Sequence, residues 1–455
     1  MGKLLTLLHL VIQLSLLPVK VLLLYRHPRG RAAALTLRHG RPTSDTLALI
    51  RMLCTDFGFE TIYILTRDAA VSRHYEEFFR SAGPGARIEL ISTPWGHYRA
   101  LCNSCILFWQ NPEGTPTALL LAYSLIRPGA TVLIDHGPIT KHDDHLSPET
   151  RRAIREDRID QPHRLRDDLT LYYRLSGGRL FHCAIAQSRT HAYHLYWFYA
   201  NNRCRNILAY GYPRFFRAAE LRHGMVAPAL SAAATRLLGR YDGAYRILYA
   251  PTRRLDLFEM PGYCPDRLGN YLEQTNSVLF LRLHPTRDLQ AEVNLRDQLP
   301  RRTEFLPDHA AGATVDLLTQ MDCVITDRSS IMFEAFALDR PVIHTVHRGT
   351  RADDVIFERQ VSLPGLQVAD WDELLSASAR IRHGPSDDAW IQRLWQLTPK
   401  QSLAESYARL PVLAHLRHPE TAPAGAPRGG CSEASAADGW KSAESADLPG
   451  GRRGT

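Results

Sequence analysis

Short, uninterrupted apolar runs alternate with segments of helical periodicity along most of this chain of 455 residues. Continuous apolar runs are typical of parallel strands buried on both faces, whereas half-exposed strands alternate apolar and polar positions. The pattern predicts two sets of strands on either side of residues 226–243, whose composition is that of a linker. The first set lies at 20–25, 61–66, 87–92, 118–121, 131–135, 183–187 and 207–211, and the second at 246–250, 278–283, 304–306, 323–326 and 342–345.

Helical patterns, such as the one at 45–56, separate the strands and predict helices that cover both sheets. Two α/β domains in tandem fit the GT-B architecture, in which two Rossmann-like domains with parallel sheets face a cleft. We therefore predict an α/β protein of GT-B type, with an N-terminal domain at 20–225 and a C-terminal domain at 244–417. Residues 389–416 show a helical pattern, and 418–455 lack an apolar period, which predicts a disordered tail.

The N-terminal segment is apolar but short. Residues 4–19 contain no charged side chain, and basic residues flank them on both sides. A bilayer span needs ~20 apolar residues, and this run is shorter and is interrupted by Gln13 and Pro18. We interpret residues 1–19 as a segment that associates with the membrane surface through its apolar face and its basic flanks. The alternative is a buried first helix of the N-terminal domain.

The charge and the cysteines limit the classes of partner. A net charge of +8 suits anionic lipid, a polyanionic polymer or nucleic acid. The chain has no RNA-binding aromatic signature, zinc-finger spacing or dense Lys/Arg run, so we expect no nucleic-acid partner. Among the 8 cysteines only Cys102 and Cys105 are close in sequence, and no second pair follows at zinc spacing. We therefore expect structural thiols in a reducing compartment and no metal site.

Residues 323–343 are the most informative stretch of the sequence. They predict a buried strand, a polar turn that contains Ser329 and Ser330, and an apolar helix that ends before Pro341. Backbone N–H groups at such a helix start, together with two hydroxyls, suit phosphate oxygens. Glu334 is the only charge inside this helix and lies about one turn from the serines. The alternative is an ordinary N-terminal cap beside a surface glutamate.

This stretch resembles a known signature. The string Thr-Asp-x-Ser-Ser-x-x-Phe-Glu at 326–334, followed by Asp-Arg-Pro-x-Ile at 339–343, is similar to the nucleotide-binding signature of the CDP-glycerol glycerophosphotransferases. Further blocks follow in that family's order: Ser44-Asp45 (the weakest match), Asp135-His136-Gly137-Pro138, Gly211-Tyr212-Pro213-Arg214, Ile247-Leu248-Tyr249-Ala250-Pro251-Thr252 and Arg282-Leu283-His284-Pro285. Each block alone is weak, whereas the ordered set over about 40–360 is specific.

The resemblance implies a reaction. It is the transfer of glycerol phosphate, or a similar polyol phosphate, from a CDP-activated donor to a hydroxyl of a growing teichoic-acid-like or capsular polymer, with release of CMP. His136 would be the general base that deprotonates the acceptor hydroxyl, and His284 would donate to the leaving CMP. Because this is phosphoryl transfer, positioning and charge neutralisation should supply most of the rate. We expect no required cofactor, although a divalent cation is compatible with the chemistry.

The resemblance also implies a binding site. The expected donor-binding residues are Arg282, Thr326, Asp327, Ser329, Ser330, Glu334, Arg214 and Thr252, of which Arg214 and Thr252 would face each other across the domain junction. Lys141 and Arg328 are expected to contact the acceptor or a phosphate. The polar run 142–145 looks like a metal cluster, but four consecutive side chains of one loop cannot converge, and we interpret it as a solvated loop.

Three departures from the family pattern leave the donor open. Asp135 stands where the family has Trp, Arg328 where it has Tyr, and Phe215 and Phe216 where Asn-Asp is common. CDP-glycerol, CDP-ribitol or a related CDP-polyol therefore remain candidates, with a lipid-linked or polymeric acceptor at the cytoplasmic face of the cell membrane, where the protein would be peripheral or anchored at its N-terminus. The alternatives are a GT-B glycosyltransferase that uses a nucleotide sugar, and a catalytically silent relative that binds nucleotide or polymer.

Overall fold

The computed structural model describes residues 31–37, 42–66, 73, 75–110, 130–134, 183–188, 191, 207–251, 256–283, 299–306, 313–327, 329–345, 365–383, 396–414 and 416. These residues form two parallel sheets, and helices pack against each of them. The prediction of two Rossmann-like α/β halves is therefore confirmed.

The first sheet has seven strands in the order β3-β2-β1-β4-β5-β6-β7. Its strands are β1 (Ala32–Thr36), β2 (Thr61–Leu65), β3 (Arg87–Ile91), β4 (Ile106–Gln110), β5 (Ala130–Ile134), β6 (Cys183–Ile185) and β7 (Ile207–Leu208). The described helices of this half are α1 (Ser44–Thr55), α2 (Glu76–Ala82), α3 (Pro94–Asn103) and α4 (Pro213–Arg222). Every described pairing in the sheet is parallel, so all strand carboxyl ends lie at one edge.

The second sheet has six strands in the order β10-β9-β8-β11-β12-β13. Its strands are β8 (Tyr245–Tyr249), β9 (Ser277–Leu281), β10 (Thr303–Phe305), β11 (Cys323–Thr326), β12 (Val342–Thr345) and β13 (Leu366–Val368). The helices that follow α4 are α5 (Ala232–Gly239), α6 (Asp256–Glu259), α7 (Pro265–Gln274), α8 (Thr314–Leu318), α9 (Ile331–Ala337) and α10 (Trp371–His383). The segment 226–243, predicted as a linker, thus contains helix α5.

Two strands of the first sheet were not predicted. The strand β1 reads Ala-Ala-Ala-Leu-Thr, and alanine favours a helix, but this segment lies between β2 and β4 with both faces buried. Only small side chains are needed there, and tertiary packing decides the structure. The strand β4 was also missed, and β13 was missed in the second sheet. The predicted strands 20–25 and 118–121, the N-terminal segment 1–19 and the tail 418–455 lie outside the described residues.

The two halves share one apolar core. Helices α1 and α4 of the first half pack against α8 and α9 of the second, and the cluster of buried apolar side chains includes residues of all four helices. The segment 396–414 follows the second half in sequence but returns to the first. Its helices α11 (Leu403–Tyr407) and α12 (Pro411–Ala414) carry out part of the helical prediction for 389–416.

Among the described residues, no helix combines the length and the apolar character that crossing a membrane requires. Cys102 and Cys105 are free thiols, as are the other described cysteines.

The returning segment makes a testable contribution to stability. The hydroxyl of Tyr407, which is fully buried, donates to the carbonyl oxygen of Gly211 at 3.0 Å. We expect Tyr407→Phe to lower the free energy of unfolding by about 1–2 kcal/mol, because a buried carbonyl loses its donor. The matched control is Tyr263→Phe, since the buried Tyr263 hydroxyl has no hydrogen-bond partner among the described residues. Equal losses in chemical denaturation of the two variants would contradict this assignment.

Candidate functional site

The predicted donor residues lie at the carboxyl ends of neighbouring strands. Arg282 directly follows β9, and Asp327 directly follows β11. Both strands pair with β8, so their ends are about 10 Å apart across the sheet. Open parallel sheets bind ligands beyond this edge. The structure therefore brings together the described part of the predicted donor site.

The turn after β11 is held from both sides. The Thr326 hydroxyl donates to the carbonyl oxygen of Ala250 at 2.7 Å, which joins the ends of β11 and β8. On the other side, the Asp327 carbonyl oxygen lies 3.0 Å from Nδ1 of the buried His344 on β12. A carbonyl can only accept, so this nitrogen carries the proton. Thr326 thus fixes the backbone through its hydroxyl, and His344 is a supporting residue that the sequence did not reveal.

The serines that follow are placed as the phosphate prediction requires. Ser329 and Ser330 are half-buried, and Ser330 stands at the N-terminal cap position of α9. Its backbone is already helical, and its side chain makes no capping hydrogen bond. The alternative of an ordinary side-chain cap is therefore not realised at Ser330. A hydroxyl that is not used as a cap can donate to a ligand oxygen.

Glu334 lies in a buried cluster that joins three helices. Asp45 of α1 accepts the backbone N–H of Arg214 at 2.8 Å and its side-chain Nε at 2.9 Å. A second donor of the same guanidinium, Nη2, also binds Asp45. Nη1 of Arg214 donates to Oε1 of Glu334 on α9 at 3.0 Å. One guanidinium from the first half of the chain therefore bridges two carboxylates, one in each half.

The charges in this cluster are not balanced equally. Burial lowers the pKa of Arg214, but Asp45 and then Glu334 raise it more, and the net shift is upward. Burial raises the pKa of Glu334, and Asp45 raises it further, so the opposing attraction of Arg214 and of Arg282 is outweighed. The geometry explains the difference, because Arg214 directs two side-chain donors at Asp45 and one at Glu334. Arg214 is held firmly in its charged form, whereas ionised Glu334 is costly.

Arg282 also reaches the junction between the halves. Its backbone N–H donates to the Tyr249 carbonyl oxygen at 2.9 Å, and Nη1 donates to the hydroxyl of Thr314 at 3.0 Å. Thr314 is the first residue of α8, and the next residue, Val315, donates its backbone N–H to the Ser44 hydroxyl at 3.1 Å. The predicted pyrophosphate contact is thus placed beside the junction that Ser44 and Asp45 help to form.

The Gly-Tyr-Pro-Arg block has a local explanation. Gly211 has a φ of +86°, and a Cβ at this position would lie 2.7 Å from the Phe216 ring, so glycine is required. Pro213 is the first residue of α4, where its fixed φ suits a helix start. Arg214 then follows with its backbone N–H on Asp45. The motif sets the start of α4 so that one arginine reaches the domain junction.

Gln187 supports the same turn and was not predicted. Its Oε1 accepts the backbone N–H of Tyr212 at 2.8 Å, and its Nε2 donates to the carbonyl oxygen of Gln396 at 2.6 Å. Asp45 was matched only weakly to the family pattern and was not among the predicted site residues. The signal for it was its position in the first turn of a helix, which a sequence alone does not connect to Arg214.

Several predicted site residues lie outside the described residues: His136, Lys141, Thr252, His284 and Arg328. Their roles remain predictions. The structure does place the strand β5 directly before Asp135 and His136, and the strand β9 shortly before His284. Within the described ranges, no group of His, Cys, Asp or Glu side chains could hold a metal ion. The predicted contact of Arg214 with the donor is likewise untested, but its described partners are carboxylates.

The raised pKa of Glu334 leads to a pH-dependent stability prediction. The folded protein keeps a proton on this carboxyl at a pH at which the unfolded chain has lost it, so the contribution of Glu334 to stability falls as the pH rises through this window. Glu334→Gln removes that cost and retains an acceptor for Arg214. We expect its melting temperature at neutral pH to equal or exceed that of the wild type, with a difference that shrinks at mildly acidic pH. A loss of stability that is the same at both pH values would contradict the prediction.

Comparison with known proteins identifies relatives of this chain. Residues 184–393 match the family described as CDP-Glycerol:Poly(glycerophosphate) glycerophosphotransferase. The teichoic acid glycerol-phosphate primase of Bacillus subtilis (strain 168) is 32% identical over 100 residues, which cover 21% of this chain and 24% of that protein. The primase of Bacillus spizizenii is 28% identical over 157 residues, 33% of this chain and 39% of that protein. The matched segments thus span well under half the length of these relatives.

Solved structures share the fold. A structure of the wall teichoic acid polymerase TagF with CDPG covers 90% of this chain and 93% of its own, with a TM-score of 0.53 and 14% identity. A second TagF structure, without CDPG in its description, has a TM-score of 0.51 and covers 88% of this chain. At this identity the likeness concerns the fold, and it agrees with the predicted GT-B architecture. The matched region contains the Gly-Tyr-Pro-Arg block, the turn with Ser329 and Ser330, and Glu334, and the chain belongs to the CDP-glycerol glycerophosphotransferase family.

Proposed function

We propose that this protein transfers glycerol phosphate, or a similar polyol phosphate, from a CDP-activated donor to a hydroxyl of a teichoic-acid-like polymer and releases CMP. The observation that carries the proposal is the turn at 326–330, where family-type serines lie at the carboxyl edge of the second sheet beside Arg282. The family match over 184–393 includes this turn. The matched primases and the TagF polymerase support the same chemistry by their names.

The donor of first choice is CDP-glycerol. It is the substrate in the family's description, and a TagF structure of similar fold was soaked with CDPG. In our proposal Ser329 and Ser330 donate hydrogen bonds to the phosphates of the donor, and Arg282 neutralises charge on the pyrophosphate. An arginine and two hydroxyls supply donors in the directions that phosphate oxygens accept.

The proposed step is a displacement at the β-phosphorus of CDP-glycerol. The acceptor hydroxyl oxygen forms a bond to this phosphorus while the bond from phosphorus to the oxygen of CMP breaks. His136 takes the proton of the attacking hydroxyl, and His284 donates a proton to the leaving CMP. The residues at the carboxyl edges of both sheets hold the two substrates in line, which is the main source of rate in phosphoryl transfer.

The acceptor and the cellular location are part of the proposal. We infer a lipid-linked or polymeric acceptor, of the teichoic-acid or capsular class, reached by a protein that is peripheral at the cytoplasmic membrane face. The net charge of +8 and the apolar segment 4–19 with its basic flanks support contact with an anionic surface.

A donor panel tests the proposed function, and a serine variant tests the site. The wild type, incubated with CDP-glycerol, CDP-ribitol and common nucleotide sugars, should release CMP from a CDP-polyol and no UDP or UMP from a nucleotide sugar. Ser329→Ala with Ser330→Ala should weaken donor binding in calorimetry, because two hydroxyl donors of about 1 kcal/mol each are lost. Ser231→Ala, which removes the cap of helix α5, is the matched control and should bind normally.

Preferential turnover of a nucleotide sugar would favour the glycosyltransferase alternative, and binding without any turnover would favour the silent relative. Unchanged donor affinity in the folded double-serine variant would remove these hydroxyls from the site.

The two histidines should differ in kinetics. We expect His136→Ala to lower kcat by ~10²–10⁴ with a small change in the KM for the donor, since the base acts on the acceptor proton. His284→Ala should lower kcat and also weaken donor binding, since its contact with the phosphates exists before the transition state. Hydrolysis of the donor by water should be impaired more in the His284 variant. Near-normal transfer by His136→Ala would contradict its role as the base.

A further inference from the structure

Two buried arginines one turn apart on α4 connect the halves of the protein. Arg214 binds Asp45 and Glu334, and Arg217 binds Asp316 of α8 with Nε at 2.8 Å from Oδ2. All of these side chains are less than a tenth exposed. Buried charges of this kind are strongly destabilising when one partner is removed, so both arginines hold the two halves together.

The two ion pairs end on different elements. Asp316 also accepts the backbone N–H of Ala229 at 2.7 Å, so the pair made by Arg217 fixes the chain that leads into α5. The pair made by Arg214 ends on Glu334, which is four positions after Ser330 and therefore on the same side of α9. Because α9 has only 7 residues, a displacement of Glu334 moves the serine turn as well.

Asp45 determines where Arg214 points. It accepts the backbone N–H, Nε and Nη2 of this residue, which fixes both the start of α4 and the side-chain conformation. With these donors occupied by Asp45, Nη1 is the donor directed across the junction to Glu334. The chain of contacts therefore runs from α1 through α4 to α9 and the serine turn.

We propose that Asp45 and Arg214 are positioning residues, which hold Glu334 and the turn of Ser329 and Ser330 in the orientation that the donor requires. The donor site of the second half is then complete only when the first half is docked against it. This inference deepens the proposed function and rests on it for the identity of the donor. It assigns to Arg214 a role that requires no contact with a phosphate.

The matched control distinguishes positioning from simple attachment. Asp316→Asn weakens an ion pair that is equally buried, on the same helix and across the same junction, but whose acidic partner does not reach α9. Asp45→Asn is nearly isosteric and leaves Arg214 and Glu334 as a neutral pair, so the fold is retained. Arg214→Lys keeps the charge but cannot bridge two carboxylates with a planar fork.

The experiment measures calorimetric affinity for CMP and for CDP-glycerol, kcat/KM for transfer, and the melting temperature of each variant. We expect Asp45→Asn and Arg214→Lys to lower donor affinity and kcat/KM by ~10- to 100-fold, since displacing a site by about 1 Å has effects of this size. Asp316→Asn should lower the melting temperature to a similar extent but change the affinity by less than about twofold. Equal effects of the Asp45 and Asp316 variants on affinity would overturn the proposal.

A second measurement tests the coupling directly. If Asp45 acts through Arg214 on Glu334, Asp45→Asn should add little to the loss of affinity already present in Arg214→Lys or in Glu334→Gln. Fully additive losses would overturn the proposal, and Glu334→Gln keeps the test available if Arg214→Lys does not fold. CMP is the product of any CDP-polyol donor. A wild type that binds CMP but transfers nothing would therefore contradict the proposed function, while the CMP affinities of the variants would still decide the positioning role.

Discussion

A guanidinium shut away from water between two carboxylates is the interaction on which the rest of this structure depends. Arg214 cannot be buried without partners, because an isolated charge in a protein interior is prohibitively costly. Its partners come from α1 in the first half and α9 in the second, so the charge is compensated only when the halves are docked. The electrostatic requirement of one side chain thereby fixes the relative placement of two sheets.

Much of the surrounding structure serves to bring Arg214 to this position. The positive φ of Gly211 turns the chain, Gln187 and Tyr407 hold the backbone of that turn, and Pro213 begins the helix. Tyr407 belongs to the segment that returns from the second half, so both crossings of the chain support the same turn. On the other side of the junction, Thr326 and His344 hold the backbone of the turn that precedes α9.

The sequence predicted the fold from its strands, because a run buried on both faces is apolar throughout and cannot be mistaken for a surface segment. The strands β11 and β12 match the predicted bounds, and the helix predicted at 45–56 is α1. The strand β1 was missed because three alanines carry no strand signal, and only its central place in the sheet selects the extended conformation. Local patterns therefore define elements that are apolar in themselves and miss those that depend on their neighbours.

The site was predictable to the same degree. The serine turn and Arg282 were found because their motifs are local and stand at strand ends. The partners of Arg214 were not found, since Asp45 is 169 positions away and Glu334 is 120 positions away. Sequence reasoning assigned Arg214 and Glu334 to the donor because both are charges within binding motifs. The structure shows that they bind each other, which a single sequence cannot express.

The central claim is that a contact in the first half orders the donor turn of the second. Hydrogen exchange of the wild type and of Asp45→Asn, followed by mass spectrometry with and without CMP, tests it most directly. The account predicts faster exchange in α9 and the serine turn of the variant, unchanged exchange in the strands β8 and β9, and partial recovery when CMP is bound. Exchange in α9 that is the same in both proteins, or that rises equally throughout the second half, would contradict it.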